Sequence, residues 1–207
     1  MNITLYAAPF SSAIPVVHAF DELRVPHERV MLDLQAGDQR KPSFLELNPN
    51  GKVPTVVVDG TPIFEALAIM QWLGDRFGVE RGLWPAPASP ERLEALSWST
   101  WMYVSFSSAF KRFGMASKTH PNAALHHQEQ ADFAAAELDE MLGVVDRRLA
   151  SRAQLMGHQF TLVDLIVGSG ISYAKVAGFS PQGHRNVERW LAEFEARPAY
   201  ARAWSAG

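Results

Sequence analysis

The sequence predicts an α+β first domain, with a mixed four-stranded sheet in the order β-α-β-α-β-β-α, followed by an all-α second domain. Three observations carry this reading. Residues 1–80 alternate strand-like and helix-like segments, whereas residues 90–207 keep a helical period almost throughout. Between them, Trp84-Pro85-Ala86-Pro87-Ala88-Ser89-Pro90 holds three prolines, which no helix interior tolerates, so residues 81–89 read as a linker.

The elements follow in chain order. Ile3 to Tyr6 is a short apolar strand, Ala13 to Leu23 a helix and Glu28 to Leu32 a second strand. A crossover of this kind makes the two strands parallel. A short helix spans Pro42 to Leu47. Thr55 to Val58 and Thr61 to Phe64 are strands joined by Asp59-Gly60, whose tolerance of positive φ suits a tight hairpin. From Ala66 to Phe77, apolar residues at Leu67, Ile69, Met70, Leu73 and Phe77 mark a helix that Gly78 stops. Beyond the linker, helices are expected from Pro90 to about Phe113, Ala123 to Leu149, Leu162 to Val176, Val187 to Ala196 and after Pro198. Thr161 and Asp164 stand three apart at one helix start, the spacing of a reciprocal capping box with Asp in place of Glu or Gln.

Composition narrows the function. The chain has 207 residues, 47% of them apolar, which is enough for real cores. A formal net charge of −3 offers no basic surface for a phosphate-rich partner, so no nucleic acid is expected. No run approaches the roughly 18 apolar residues of a membrane span, and the N-terminus reads as a strand rather than a secretion leader. A cytoplasmic location without membrane attachment is the expectation. There is no cysteine, so disulfides, thiolate metal sites and a thiol nucleophile of the protein's own are all excluded. Any sulfur chemistry must use a thiol that a ligand brings. The histidines show no ligand spacing: His126 and His127 are adjacent and point to different faces, so no metal is expected.

The most informative stretch is Asn48-Pro49-Asn50-Gly51-Lys52-Val53-Pro54-Thr55-Val56-Val57-Val58, followed by Asp59-Gly60 and Phe64-Glu65-Ala66-Leu67-Ala68-Ile69. It puts a Val-Pro step before a strand and a Glu at a helix start just after a hairpin. This pattern resembles the glutathione-holding half of a cytosolic, bacterial-like glutathione S-transferase. The element order is likewise that of the thioredoxin-like fold as this family uses it, and the Thr161–Asp164 capping box is similar to one in the family's helical domain. The resemblance therefore spans essentially the whole chain, with residues 1–80 as the glutathione-binding domain and 90–207 as the domain carrying an electrophile pocket.

The resemblance implies a set of site residues. Val53-Pro54 would be a cis peptide whose Val53 N–H and C=O pair with the cysteinyl residue of reduced glutathione, as an added strand would. Glu65 would meet the γ-glutamyl ammonium, and the N–H groups of Ala66 and Leu67 its carboxylate, at a helix N-terminus that attracts anions. The commoner family pattern has Ser where Ala66 stands, and losing that hydroxyl removes a contact worth about 1.5–3 kcal/mol. Asn50 and Lys52 correspond to positions near the glycine end.

The loop Ala7-Ala8-Pro9-Phe10-Ser11-Ser12 is where the family keeps its thiol-activating group. Counting from Leu5-Tyr6 selects Ser11 and counting from Pro9 selects Ser12; Ser11 is favoured, and one of the two is expected to cap the following helix. Tyr6 is a weaker rival that packs in the core. Lowering a thiol pKa by two units takes about 2.7 kcal/mol. One hydroxyl bond to a thiolate supplies about 1.5–3. Phe10, Tyr103, Ser107 and Phe110 are the candidate wall of a pocket for a hydrophobic electrophile, with the last three on one helical face. The resemblance further implies a homodimer. It leaves open related glutathione-dependent activities (lyase, dehalogenase, peroxidase or isomerase) and a non-catalytic binding protein on the same fold.

Overall fold

The computed structural model describes residues 1–205. They divide into two compact units: Met1–Ser89 together with the C-terminal segment from Ala196, and Pro90–Glu195.

In the first unit, β1 (Ile3–Ala7), β2 (Glu28–Met31), β3 (Thr55–Val58) and β4 (Thr61–Phe64) form one sheet in the order β2-β1-β3-β4. β1 runs parallel to β2 and antiparallel to β3, and β3 pairs antiparallel with β4. The mixed sheet expected from the sequence is therefore present. Asp59 and Gly60 both take positive φ, 48° and 85°, as a two-residue hairpin loop requires. Helix α1 covers Ile14–Glu22, α2 Pro42–Leu45 and α3 Ala66–Leu73. α3 packs on β3, β4 and α1. The expected extension of α3 to Phe77 is taken up by a π-helical turn, Gly74–Gly78. There Gly74 lies so close to the Trp84 indole that a Cβ would come within 2.6 Å of it.

The C-terminal helix α9 (Pro198–Ser205) groups with this first unit, although the sequence reading placed all residues after 90 in the second domain. The physical reason is a charge clamp onto α1. Arg197 donates to both carboxylate oxygens of Glu22 at 2.7 and 2.9 Å, and Arg202 reaches Asp21 at 3.2 Å. Burial alone would raise the Glu22 pKa, but the bonds and charges of Arg197 and His18 outweigh it and bring the group from 4.5 down to about 2.

In the second unit, α4 (Pro90–Thr100) runs through a π-helical stretch, Trp101–Phe106, into α5 (Ser107–Ala116). A short 3-10 turn, Ala123–Leu125, precedes α6 (Gln128–Leu149), and α7 (Leu162–Val176) and α8 (Arg185–Glu195) complete the unit. α7 is the centre of its core: every residue from Leu162 to Ser169 is buried, and the helix packs against α4 and α8. Its start is closed by the expected capping box. Asp164 accepts from the Thr161 N–H and hydroxyl at 2.9 Å each, from the Leu155 N–H at 2.7 Å and from Trp190 Nε1 at 3.2 Å. Among the described residues, no helix is long and apolar enough to cross a membrane.

Candidate functional site

The carboxyl end of β1, the turn before β3 and the start of α3 are neighbours in the first unit, because β1 and β3 are adjacent strands and β4 leads directly into α3. The Val53–Pro54 peptide is cis, as the family pattern implied. Val53 is buried, and among the described residues nothing accepts a hydrogen bond from its N–H. Its carbonyl accepts from the Ser12 hydroxyl at 2.9 Å. Ser12 and Val53, 41 residues apart in the chain, are thus in direct contact.

Ser11 turns the other way. Its hydroxyl donates to the Ala8 carbonyl at 2.6 Å and accepts from the Ala13 N–H at 3.2 Å, a bond closed within its own loop. Neither serine is the N-cap expected of one of them: that position is Ala13, and α1 starts without a side-chain cap. The local Ser11 bonds compete with capping for the same hydroxyl. Tyr6 is half-buried, with its ring edge-on to Phe44 at 5.6 Å, in keeping with a packing role.

Glu65 occupies the N-cap of α3 with φ 69° and ψ 118°, an uncommon conformation for a residue with a side chain and one that costs roughly 1–3 kcal/mol. Its carboxylate is exposed and makes no hydrogen bond or ion pair among the described residues. α3 has no side-chain cap, so the N–H groups of its first turn, from Ala66 onward, stay open to a ligand. Ala66 itself is buried.

Asn50 and Lys52 are exposed on the turn. What holds that turn is Asn48, which the sequence reading left without a role. Asn48 is 2% exposed; its amide donates to the Lys52 carbonyl at 2.8 Å and the Thr55 hydroxyl at 3.0 Å, and its oxygen accepts from the Asn50 N–H. The signal was available, since Asn before Pro-x-Gly is a turn residue whose amide can serve several backbone groups. Gly51, at φ 59°, faces Arg40 Nη1 and the Gln39 carbonyl so closely that a Cβ would come within 2.9 Å of each. Arg40 is thereby a second cation, beside Lys52, next to this turn.

Phe10 is 74% exposed with φ 48°, on the loop that carries both serines. It borders an open groove of about 580 Å³ whose apolar surface also comes from Met31, the last residue of β2, and from Leu34 beyond it. Those two were not foreseen; they are exposed apolar side chains where the end of a strand should turn polar. Tyr103, Ser107 and Phe110 lie in the second unit, all half-buried. Tyr103 falls in the π-helical stretch, and the Ser107 hydroxyl folds back onto the Met102 carbonyl at 2.9 Å. Phe110 meets Tyr173 edge-on at 5.8 Å. Burial pushes the Tyr103 phenol above its ordinary range, so it stays protonated at neutral pH. Among the described residues, no group of three His, Asp or Glu could hold a metal ion.

Comparison with known proteins decides the family. The glutathione S-transferase N-terminal domain pattern matches residues 10–76, and the family's C-terminal domain pattern matches residues 100–198. This chain belongs to the glutathione S-transferase family. Glutathione S-transferase GstB of Escherichia coli K12 is 28% identical over 201 residues, 95% of either chain. Glutathione S-transferase hmp2 of Hypomyces subiculosus is 27% identical over 208 residues, 98% of either chain. Among solved structures, a glutathione transferase from Burkholderia graminis with two glutathione molecules bound per subunit has a TM-score of 0.83 at 28% identity, covering 99% of this chain and 88% of that one. The URE2P6 transferase of Phanerochaete chrysosporium, with a TM-score of 0.86 at 23% identity over 99% of this chain and 96% of its own, shares the thioredoxin-like glutathione transferase fold.

Proposed function

We propose that this protein is a glutathione transferase that ionises the thiol of reduced glutathione beside Ser12 and directs it at a hydrophobic electrophile. The observation that carries the proposal is the contact between the Ser12 hydroxyl and the Val53 carbonyl. Glutathione lies along the Val53 edge: its cysteinyl carbonyl takes the free Val53 N–H, and its cysteinyl N–H takes the Val53 carbonyl. That second bond displaces the Ser12 hydroxyl, whose proton then turns to the sulfur. Binding and activation are coupled in one exchange.

The γ-glutamyl ammonium pairs with Glu65 and its carboxylate with the open first turn of α3, while Arg40 and Lys52 stand at the glycine end. The thiol proton leaves to water. The thiolate then attacks carbon, forming a C–S bond as the leaving group departs with the electron pair of the bond that breaks. Three similar solved structures carry two glutathione molecules, but the apolar lining of the Phe10 groove suits an apolar electrophile better than a second charged peptide. A need for reduced glutathione supports a reducing compartment, the cytoplasm. Exposed Leu93, Val104 and Phe133 on the helical unit support a homodimer.

Thiolate absorbance titrated against pH tests this reading. The bound thiol is expected to ionise about two units below its free value in the wild type and in Ser11→Ala, and about one unit higher than wild type in Ser12→Ala. Should Ser11→Ala alone lose the shift, the assignment to Ser12 is wrong. A non-catalytic reading draws on Ala66, which offers no hydroxyl to the ligand, and the absence of saturable binding at millimolar glutathione would establish it.

A further inference from the structure

The last turn of α9 lies behind the loop that carries the two serines. The helix is anchored at one end by the Arg197–Glu22 pair, where Glu22 also meets His18 Nε2 at 3.2 Å and the buried His18 ring stands edge-on to Tyr200. Ala199 and Ala203, both 4% exposed, are buried along the helix. At the far end, Ala203 and Trp204 line a narrow cleft with Pro9, Phe10 and Met31.

Phe10 is an aromatic residue at positive φ, a conformation that persists only where its surroundings over-determine it. Two restraints come from inside the loop, the Ser11 bonds to Ala8 and Ala13. Across the narrow cleft from Pro9 and Phe10 stands Trp204, brought from nearly 200 residues away by the clamp on α1.

We infer that Trp204 is a positioning residue for the thiol-activating loop, holding Pro9–Phe10 so that the Ser12 hydroxyl is kept at the Val53 edge, within reach of the sulfur once glutathione takes the Val53 carbonyl. Its catalytic consequence rests on the glutathione reading proposed above; its structural consequence does not. The glutathione-binding groups at Val53, Glu65 and Ala66 belong to the turn before β3 and to α3, outside the Trp204 cleft. Loss of the indole therefore changes activation of the thiol and leaves peptide binding in place.

The test compares Trp204→Ala and Trp204→Phe in the full chain, first by hydrogen exchange. Trp204→Ala is expected to speed exchange at Phe10 to Ala13 about tenfold and to leave α3 unchanged, with Trp204→Phe close to wild type. In the glutathione complex, Trp204→Ala should raise the thiol pKa by about one unit and lower kcat about tenfold, with KM for glutathione within twofold. Unchanged exchange in the loop overturns the inference, as does an equal rise throughout the first unit, which would be general loosening. A KM that rises while kcat and the thiol pKa stay put also overturns it. If the wild type binds no glutathione, the proposed function falls, and the exchange pattern alone judges the positioning role. Trp204→Leu is the milder variant should Trp204→Ala fail to fold.

Discussion

Two helix starts in this chain are built in opposite ways. At the start of α7, Thr161 and Asp164 close the N-terminus with their own side chains, and Asp164 collects two further donors from Leu155 and Trp190. At the start of α3, Glu65 sits in an uncommon backbone conformation, no side chain caps the helix and the carboxylate faces solvent. Both helices carry the same dipole. One uses it to lock a core; the other leaves it available to a ligand. In this molecule an open helix start marks the proposed site and a closed one marks the architecture.

Three substitutions break or sharpen that contrast. Asp164→Ala has the largest expected effect, because it leaves the Leu155 N–H, the Thr161 N–H and the Thr161 hydroxyl buried without their acceptor. Urea unfolding should show a loss of about 3–5 kcal/mol, with glutathione affinity of the folded fraction within about twofold of wild type. Glu65→Gln should do the reverse, weakening glutathione binding by about ten- to hundredfold in calorimetry while stability stays within about 0.5 kcal/mol. If Glu65→Gln instead lost more than about 1 kcal/mol of stability with affinity intact, Glu65 would be a dipole cap and the contrast would collapse. Ala66→Ser has the smallest effect: it supplies the hydroxyl of the commoner family pattern and should tighten glutathione by about tenfold.

The closed start was legible in the sequence and the open one only in part. A capping box is written in two side chains three apart, so Thr161 and Asp164 gave it away. The strands, the hairpin at Asp59-Gly60 and the Val53-Pro54 step were legible for the same reason: local residues dictate local backbone. What escaped were contacts between distant segments. The sequence favoured Ser11, and nothing local shows that Ser12 lands on a carbonyl 41 residues on while Ser11 closes its own loop. Asn48 escaped because a buried amide and an exposed one are spelled alike. The π-helical turns at Gly74–Gly78 and Trp101–Phe106 escaped because they keep the apolar spacing of an ordinary helix.

The placement of α9 has a consequence for synthesis. The first unit is discontinuous: its last helix follows an intervening unit of roughly a hundred residues. At about 5–20 residues per second on the ribosome, Glu22 and Asp21 wait on the order of 10–35 s before Arg197 and Arg202 arrive. The strands and α1–α3 emerge early, yet the unit they belong to is finished only by a segment translated after the whole helical unit, so the first unit to begin folding cannot be completed before the second has been made.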